Sequence, residues 1–367
     1  MRTYETAARR WEGVGPYYAM FPTSFADDVV AHYTEPGEVV LDPFAGRGTT
    51  VFSAAHQGRR GLGIEINPVG WIYAKTKLCP AQKDAVTRRL NELRELSSDN
   101  ERQAQAIPAF FHSCFSQQVL EYLLTAREHL DWQYNRTDRT TMALLLVHLH
   151  GKREASLSNQ MRQTKSMAPD YAIRWWQERK LKPPEIDPAA FMIKRLEWRY
   201  AKGLPEVQES EIHLGNSELH LPRLSDMARR RGQPVRLLFT SPPYFGLTNY
   251  HYDQWLRLWL LGGPPTARRV PGTTELRGKF ENVARYKGLL QNVFEGAAEL
   301  LSSKGVIYVR TGQDVITYIT TREVLQNVFP GHQLHMTPRP YTRPTQTSLF
   351  GDVEKKAGEV DLIMTPM

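Results

Sequence analysis

The run Leu237-Leu238-Phe239-Thr240-Ser241-Pro242-Pro243-Tyr244 leads an apolar stretch directly into a hydroxyl, two prolines and a phenol. Proline fixes its own φ and carries no N–H, so this loop is stiff and turns its carbonyls outward. Stiff acceptors suit a difficult nucleophile. The exocyclic amino nitrogen of a nucleobase has its lone pair delocalised into the ring and must pyramidalise before it attacks. Acceptors that hold its hydrogens in that geometry stabilise the transition state more than the ground state. Ser241 Oγ and the Pro242 carbonyl are candidate acceptors, Pro243 completes the rigid turn, and Tyr244 is a candidate ring for stacking a base taken out of a duplex. Taken alone, the same residues also describe a strand that ends at a Pro-Pro turn beside a core tyrosine.

A second run, Val39-Val40-Leu41-Asp42-Pro43-Phe44-Ala45-Gly46-Arg47-Gly48-Thr49-Thr50, has the form Asp-x-Phe-x-Gly-x-Gly. Gly46 and Gly48 allow a tight turn and close approach of backbone to a ligand. The helix that follows presents unpaired N–H groups to a carboxylate. Asp42, at the end of a short apolar strand, can pair with a cationic amine. Glu65, at the end of the next strand, can accept from ribose hydroxyls. The spacing lacks the Gly-x-Gly-x-x-Gly of dinucleotide sites, which disfavours NAD.

Elements to hold these residues can be read around them. A helical pattern spans Phe25 to His32, and a strand spans Glu38 to Leu41. After the loop Asp42 to Gly48 come a helix from Thr49 to Gln57 and a strand from Arg60 to Ile64. Strand–loop–helix–strand is half of a doubly wound nucleotide-binding unit. Strand texture returns at Ile212 to Leu214 and Val235 to Thr240. It appears again at Val306 to Arg310, Gln333 to Met336 and Val360 to Met364, with helices over Asn282 to Leu301 and Thr321 to Phe329. Between them, residues 79–205 are helical in texture, with patterns at Ala85 to Leu96, Gln117 to His129 and Thr140 to His150. The expected fold is α/β, a Rossmann-like sheet made from residues 1–78 and 206–367, interrupted by a largely helical insertion at 79–205. Trp255, Leu258 and Trp259 are expected to pack into the core, and Arg339 to Glu359 to form a loop.

Together the two motifs resemble those of the AdoMet-dependent DNA amino-methyltransferases of the Thr-Ser-Pro-Pro-Tyr type. The resemblance covers residues 15–78 and 212–364. It implies S-adenosylmethionine as cofactor and a methyltransferase sheet. Gly15 to Pro22 is similar to the family's segment over the methionine end of the cofactor, which nominates Tyr17 and Phe21. Asp42, Phe44, Gly46, Gly48, Thr49, Glu65 and Thr240 complete the implied cofactor set. Asn216, which follows a strand, stands where the family places an acidic or amide residue beside the adenine. In that family the serine form usually marks cytosine-N4 enzymes, and Asp- or Asn-Pro-Pro-Tyr adenine-N6 enzymes. The large insertion ahead of Asn216 departs from the family's common layouts.

The chain has 367 residues and a formal charge of +8. A basic balance favours a polyanionic partner or simply solubilises the chain. The run 151–165 carries the inventory that reads DNA: Lys152, Arg153, Asn159, Gln160, Arg162 and Lys165, with Gly and Ser to let it bend. Arg174, Trp175, Trp176, Arg179, Lys180, Lys194, Arg195 and Arg199 add basic and aromatic surface. Asn249, Tyr250, Tyr252, Asp253 and Trp255, just past the Pro-Pro loop, lie close enough in sequence to line the base pocket. Tyr341, Arg343 and Thr345 are candidates for its border. An ordinary solvated helical face has a similar composition. Two cysteines, Cys79 and Cys114, give neither a zinc motif nor a disulfide framework. The charged N-terminus is no signal peptide, and the most apolar run, Met142 to Val147, is too short to span a bilayer. The expected setting is cytoplasmic, on the nucleoid.

The sequence thus predicts a site-specific DNA methyltransferase that acts on cytosine N4 in double-stranded DNA by base flipping, with a restriction endonuclease as a possible companion. Adenine-N6 methylation, methylation of an RNA base, and a DNA-binding regulator with a vestigial fold remain open as alternatives.

Overall fold

The computed structural model describes residues 4–16, 21–246, 250–267, 282–339 and 358–367, apart from the side chains of residues 250 and 251. Its centre is a seven-stranded sheet of order β3-β2-β1-β4-β5-β7-β6. The strands are β1 (Val39–Asp42), β2 (Arg60–Glu65), β3 (Glu211–Leu214), β4 (Val235–Thr240), β5 (Leu301–Gly312), β6 (His332–Arg339) and β7 (Glu359–Pro366). The first five in spatial order run parallel, and β7 lies antiparallel between β5 and β6. The strand order reverses between β1 and β4. In an open α/β sheet the crevice at the C-terminal ends of such a pair is where ligands bind.

The central strands alternate their side chains between two cores, as strands buried on both faces must. Val40, Leu237, Phe239, Val306 and Tyr308 face helix α2 (Thr23–Tyr33) and Ala54 of α3 (Thr49–His56), numbering the helices after α1 (Ala7–Glu12). Val39, Leu41, Val235, Leu238, Ile307 and Val309 face the opposite side. There the core is completed from three helices that follow the insertion: Ser217–Arg231, Val283–Ala298 and Val315–Val328.

After α4 (Pro68–Leu78) the insertion contributes α5 (Lys83–Leu96), α6 (Glu101–Ala106), α7 (Ala109–Cys114), α8 (Gln117–His129), α9 (Arg136–His148), α10 (Pro169–Glu178) and α11 (Pro188–Tyr200). Its core does not stop at residue 79. One buried cluster runs from Trp11, Phe52 and the α4 residues Val69, Ile72 and Tyr73 through Leu90, Phe111, Leu123 and Leu145 to Trp255, Leu256 and Trp259. The insertion is therefore seated on α4 and on the helix that follows the Pro-Pro loop. Trp255 and Trp259 are core residues, as their spacing predicts.

Candidate active site at the switch point

The site begins where β1 and β4 end side by side. Thr240 Oγ1 donates to Asp42 Oδ1 at 2.6 Å, joining the two motifs that lie far apart in sequence. Asp42 also accepts from the Phe44 N–H at 3.1 Å. Burial pushes the Asp42 carboxyl up to about 6, against the pull of these hydrogen bonds.

Beside it, Glu65 closes β2. Its Oε2 accepts from the Gly46 N–H at 2.6 Å and its Oε1 from the Asn67 N–H at 2.7 Å. Burial raises this carboxyl to about 8. The two N–H donors oppose that rise and neighbouring Asp42 adds to it. Gly48 sits at φ +73°, and a Cβ there would stand 2.5 Å from Ala74 Cβ of α4. Glycine thus lets the loop turn and lets α4 close on it. Thr49 starts α3 as a buried residue.

Several partners were not visible in the motifs. Lys77 is buried and donates to the Arg47 carbonyl at 2.7 Å, while the Arg47 guanidinium donates to the Gly15 carbonyl at 3.1 Å. Burial lowers the Lys77 pKa, and Arg47 lowers it further. The glycine loop is thereby tied to α4 on one side and to the N-terminal segment on the other. Asn67 caps α4 through Oδ1, as an Asn before Pro68 should. Its Nδ2 is buried with no partner among the described residues.

The Pro-Pro loop is anchored from the far side of β5. Tyr244 Oη donates to Glu359 Oε1 at 3.1 Å, and the Phe245 N–H donates to Thr317 Oγ1 at 3.0 Å. Ser241, Pro243 and Tyr244 are half-buried and Pro242 is buried. Behind Glu359, Arg310 grips Asp361 through two nitrogens, at 2.6 and 2.9 Å.

Other expected site residues fall elsewhere. Asn216 spends its side chain on the next helix: Oδ1 accepts from the Glu218 N–H at 3.1 Å and Nδ2 donates to Glu218 Oε2 at 3.1 Å. The adjacent Gly215 N–H does bond to the Glu65 carbonyl at 2.9 Å, which brings this turn to the edge of the crevice. The Phe21 ring stacks on Phe239 with centroids 4.8 Å apart, so it serves the core below the site. Phe44 is half-buried against the other core. Tyr17, Asn249, Tyr341, Arg343 and Thr345, and the side chain of Tyr250, lie outside the described residues.

In the 151–165 run the structure separates two kinds of polar residue. Asn159 is fully buried, and its Nδ2 donates to the Ser113 and Leu181 carbonyls, each at 3.1 Å. This corrects its expected place on the DNA surface: backbone carbonyls use its donors. Lys152 and Arg153 are exposed, Gln160, Arg162 and Lys165 half-buried. Arg153 Nε donates to the Lys182 carbonyl at 2.8 Å, Gln160 Oε1 accepts from the Arg153 N–H at 3.0 Å, and Lys165 pairs with Asp253 at 3.0 Å. Trp176 and Arg199, expected on the surface, are also buried, Trp176 Nε1 donating to the Gln160 carbonyl at 2.6 Å and the Arg199 guanidinium to the Arg10 carbonyl.

The strap 163–167 is fastened to the segment that follows the Pro-Pro loop. Ser166 N–H donates to the Asp253 carbonyl at 2.8 Å and Gln254 Nε2 to the Thr164 carbonyl at 3.1 Å. Trp255 Nε1 donates to the Met167 carbonyl at 3.0 Å and buried Arg257 to the Gln163 carbonyl at 2.6 Å.

Part of the chain is similar to known proteins. Residues 2–70 match the model of a DNA methylase family. Over that segment the chain is similar to DNA methylases. Over 54 residues it is 41% identical to the type II methyltransferase M.Cfr9I of Citrobacter freundii, which is 15% of this chain and 18% of that one. Over 91 residues it is 28% identical to the type II methyltransferase M.MjaII of Methanocaldococcus jannaschii, 24% of this chain and 17% of that one. The matches thus span less than a fifth of these relatives' length. Among solved structures, the rRNA methyltransferase AviRa of Streptomyces viridochromogenes aligns over 96% of this chain and 90% of its own, at 14% identity and a TM-score of 0.34. The α/β assignment rests on the strand order itself.

S-adenosylmethionine fits the chemistry of the crevice. Glu65 offers a buried carboxylate at the end of β2 and Asn67 an unused buried donor next to it. Asp42, Gly46, Gly48, Glu65 and Asn67 are the residues that would hold it.

Among the described residues, no cluster of His, Cys, Asp and Glu could hold a metal ion, and no helix is long and apolar enough to cross a membrane.

Proposed function

We propose that the protein transfers a methyl group from S-adenosylmethionine to an exocyclic amino nitrogen of a DNA base. Cytosine N4 is the favoured target and adenine N6 the nearest rival. The observation that carries this reading is the Thr240–Asp42 hydrogen bond, which seats the Ser-Pro-Pro-Tyr loop against the glycine loop at one switch point. The cofactor's sulfonium supplies an activated methyl group, so alignment supplies most of what the protein must add. Ser241 Oγ and the Pro242 carbonyl accept the hydrogens of the amino group and hold its nitrogen pyramidal. When bound, the cofactor would supply the methyl group and leave as a neutral thioether, while Ser241 Oγ and the Pro242 carbonyl hold the amino hydrogens, one of which is released to water as a proton. Tyr244 stacks on the extruded base.

The insertion reads the target in this account. Lys152, Arg153 and Arg174 supply exposed cations for phosphates, and Gln160 and Arg162 lead into the strap, carrying Gln163 and Lys165, that meets the segment after the catalytic loop. Target reading and base placement therefore share one rigid join. The setting is the cytoplasm and the substrate double-stranded; a companion endonuclease is compatible with the type II relatives.

Labelled methyl transfer tests the reading. Protein incubated with methyl-tritiated cofactor should label unmethylated genomic DNA and leave total RNA unlabelled. Label in RNA alone would replace the reading with its RNA alternative. Label in neither, together with no cofactor binding by calorimetry, would favour the vestigial regulator.

A further inference from the structure

We infer that Glu359 is a positioning residue that sets the orientation of the Tyr244 ring for the target base; this rests on the methyltransferase reading of the loop. In the β5–β7 ladder Glu359 stands directly opposite Gly312. Tyr244 spans that pair. Its hydroxyl donates to Glu359 Oε1 at 3.1 Å, and its ring lies where a Cβ on Gly312 would come within 3.3 Å of Cδ2. The glycine thus provides the floor under the ring, and the carboxylate fixes its far end.

The carboxylate is itself held. Arg310 Nη1 lies 3.9 Å from Glu359 Oε2, and Arg310 is fixed by its paired bonds to Asp361, which Arg339 also contacts at 2.8 Å. Burial works against ionisation of Asp361, yet the bonds from Arg310 and Arg339 keep its pKa below the usual value. The Phe245 N–H to Thr317 contact pins the chain just past the ring. A ring tethered at its hydroxyl presents one face to the crevice at a fixed tilt. This gives the phenol a use that phenylalanine lacks. A phenylalanine could stack equally well but would be free to rock, and alignment within a few tenths of an ångström carries the rate in such a reaction.

The test is a double-mutant cycle on the full chain, with cofactor at saturation and unmethylated genomic DNA as substrate. Glu359→Ala and Tyr244→Phe should each lower kcat by roughly tenfold, the worth of one hydrogen bond to a charged group. The double variant should lose no more than either single one. Glu359→Gln keeps an acceptor and should retain activity within about threefold of the parent. Cofactor affinity by calorimetry and the melting temperature should stay near the parent's in all four proteins. Multiplicative losses, or a fully active Glu359→Ala, would overturn the inference. A parent protein that transfers no methyl group to DNA would refute the methyltransferase reading instead, so the two failures are distinct.

Discussion

Glu65 gives the sharpest handle on the cofactor crevice. It is buried and held by two backbone N–H groups, yet burial moves its carboxyl from 4.5 to about 8. A carboxyl whose pKa rises on folding binds more protons folded than unfolded. Its contribution to stability is therefore full below about pH 4.5 and drains away as pH climbs toward 8. Between pH 6.5 and 8.5 this one group should remove roughly 2 kcal/mol, at ~1.4 kcal/mol per pH unit until it ionises. That window lies above the pKa of Asp42, raised only to about 6, so the two groups separate. Glu65→Gln is a neutral isostere. It keeps one acceptor for the two N–H donors, which costs about 1–3 kcal/mol independent of pH. The variant should start less stable at pH 6.5 and show a melting temperature with a clearly smaller decline to pH 8.5. Hydroxyls donated by the cofactor's ribose favour the ionised form. Cofactor binding near pH 7 should therefore release a proton and tighten as pH rises to 8. Calorimetry in two buffers of different ionisation enthalpy measures that proton. Equal pH slopes in parent and variant, or proton uptake on binding, would refute the reasoning.

Further outcomes follow from the same geometry. Ser241→Ala should cut kcat at least a hundredfold while calorimetric cofactor affinity stays within about twofold, because Ser241 acts on the amino group; equal losses in both would place it on the cofactor instead. Lys152→Glu with Arg174→Glu should weaken DNA binding and flatten the dependence of log affinity on log salt by about two, the expected effect of losing two phosphate contacts, as measured by fluorescence anisotropy; an unchanged slope would move the DNA elsewhere. Asn159→Ala should leave that slope unchanged and lower stability by about 2–3 kcal/mol in denaturant titration, since two buried carbonyls lose their donors.

Much of the site was legible because its parts are local. A strand buried along its whole length, a glycine turn and a helix start lie within a dozen residues, and Val235–Thr240 and Gln117–His129 have the bounds that their patterns predict. The Thr240–Asp42 contact could be expected only because both motifs end strands of one sheet. What stayed hidden depends on distant chain. Asn159 reads as a base-contacting residue among Lys, Arg and Gln, but carbonyls from Ser113 and Leu181 close over it. Asn216 reads as an adenine partner, while Glu218 two residues on makes it a helix cap. Glu359 belongs to no motif; only the antiparallel pairing of β7 with β5 delivers it to Tyr244. The insertion's helices look like a separate unit in composition, yet their apolar faces pack into one cluster with Trp11, Phe52, α4 and Trp255–Leu260, so the core is continuous.

The central claim is that the two loops meeting at Thr240 and Asp42 methylate a base amino group in DNA. Expression in a host free of DNA methylation, followed by genomic sequencing that separates N4-methylcytosine from N6-methyladenine, tests it directly. The account predicts one short recurring motif carrying N4-methylcytosine, absent from a Ser241→Ala control. N6-methyladenine in such a motif would keep the mechanism and change the base. A genome with no modified motif, from protein that is folded and binds the cofactor, would contradict the claim.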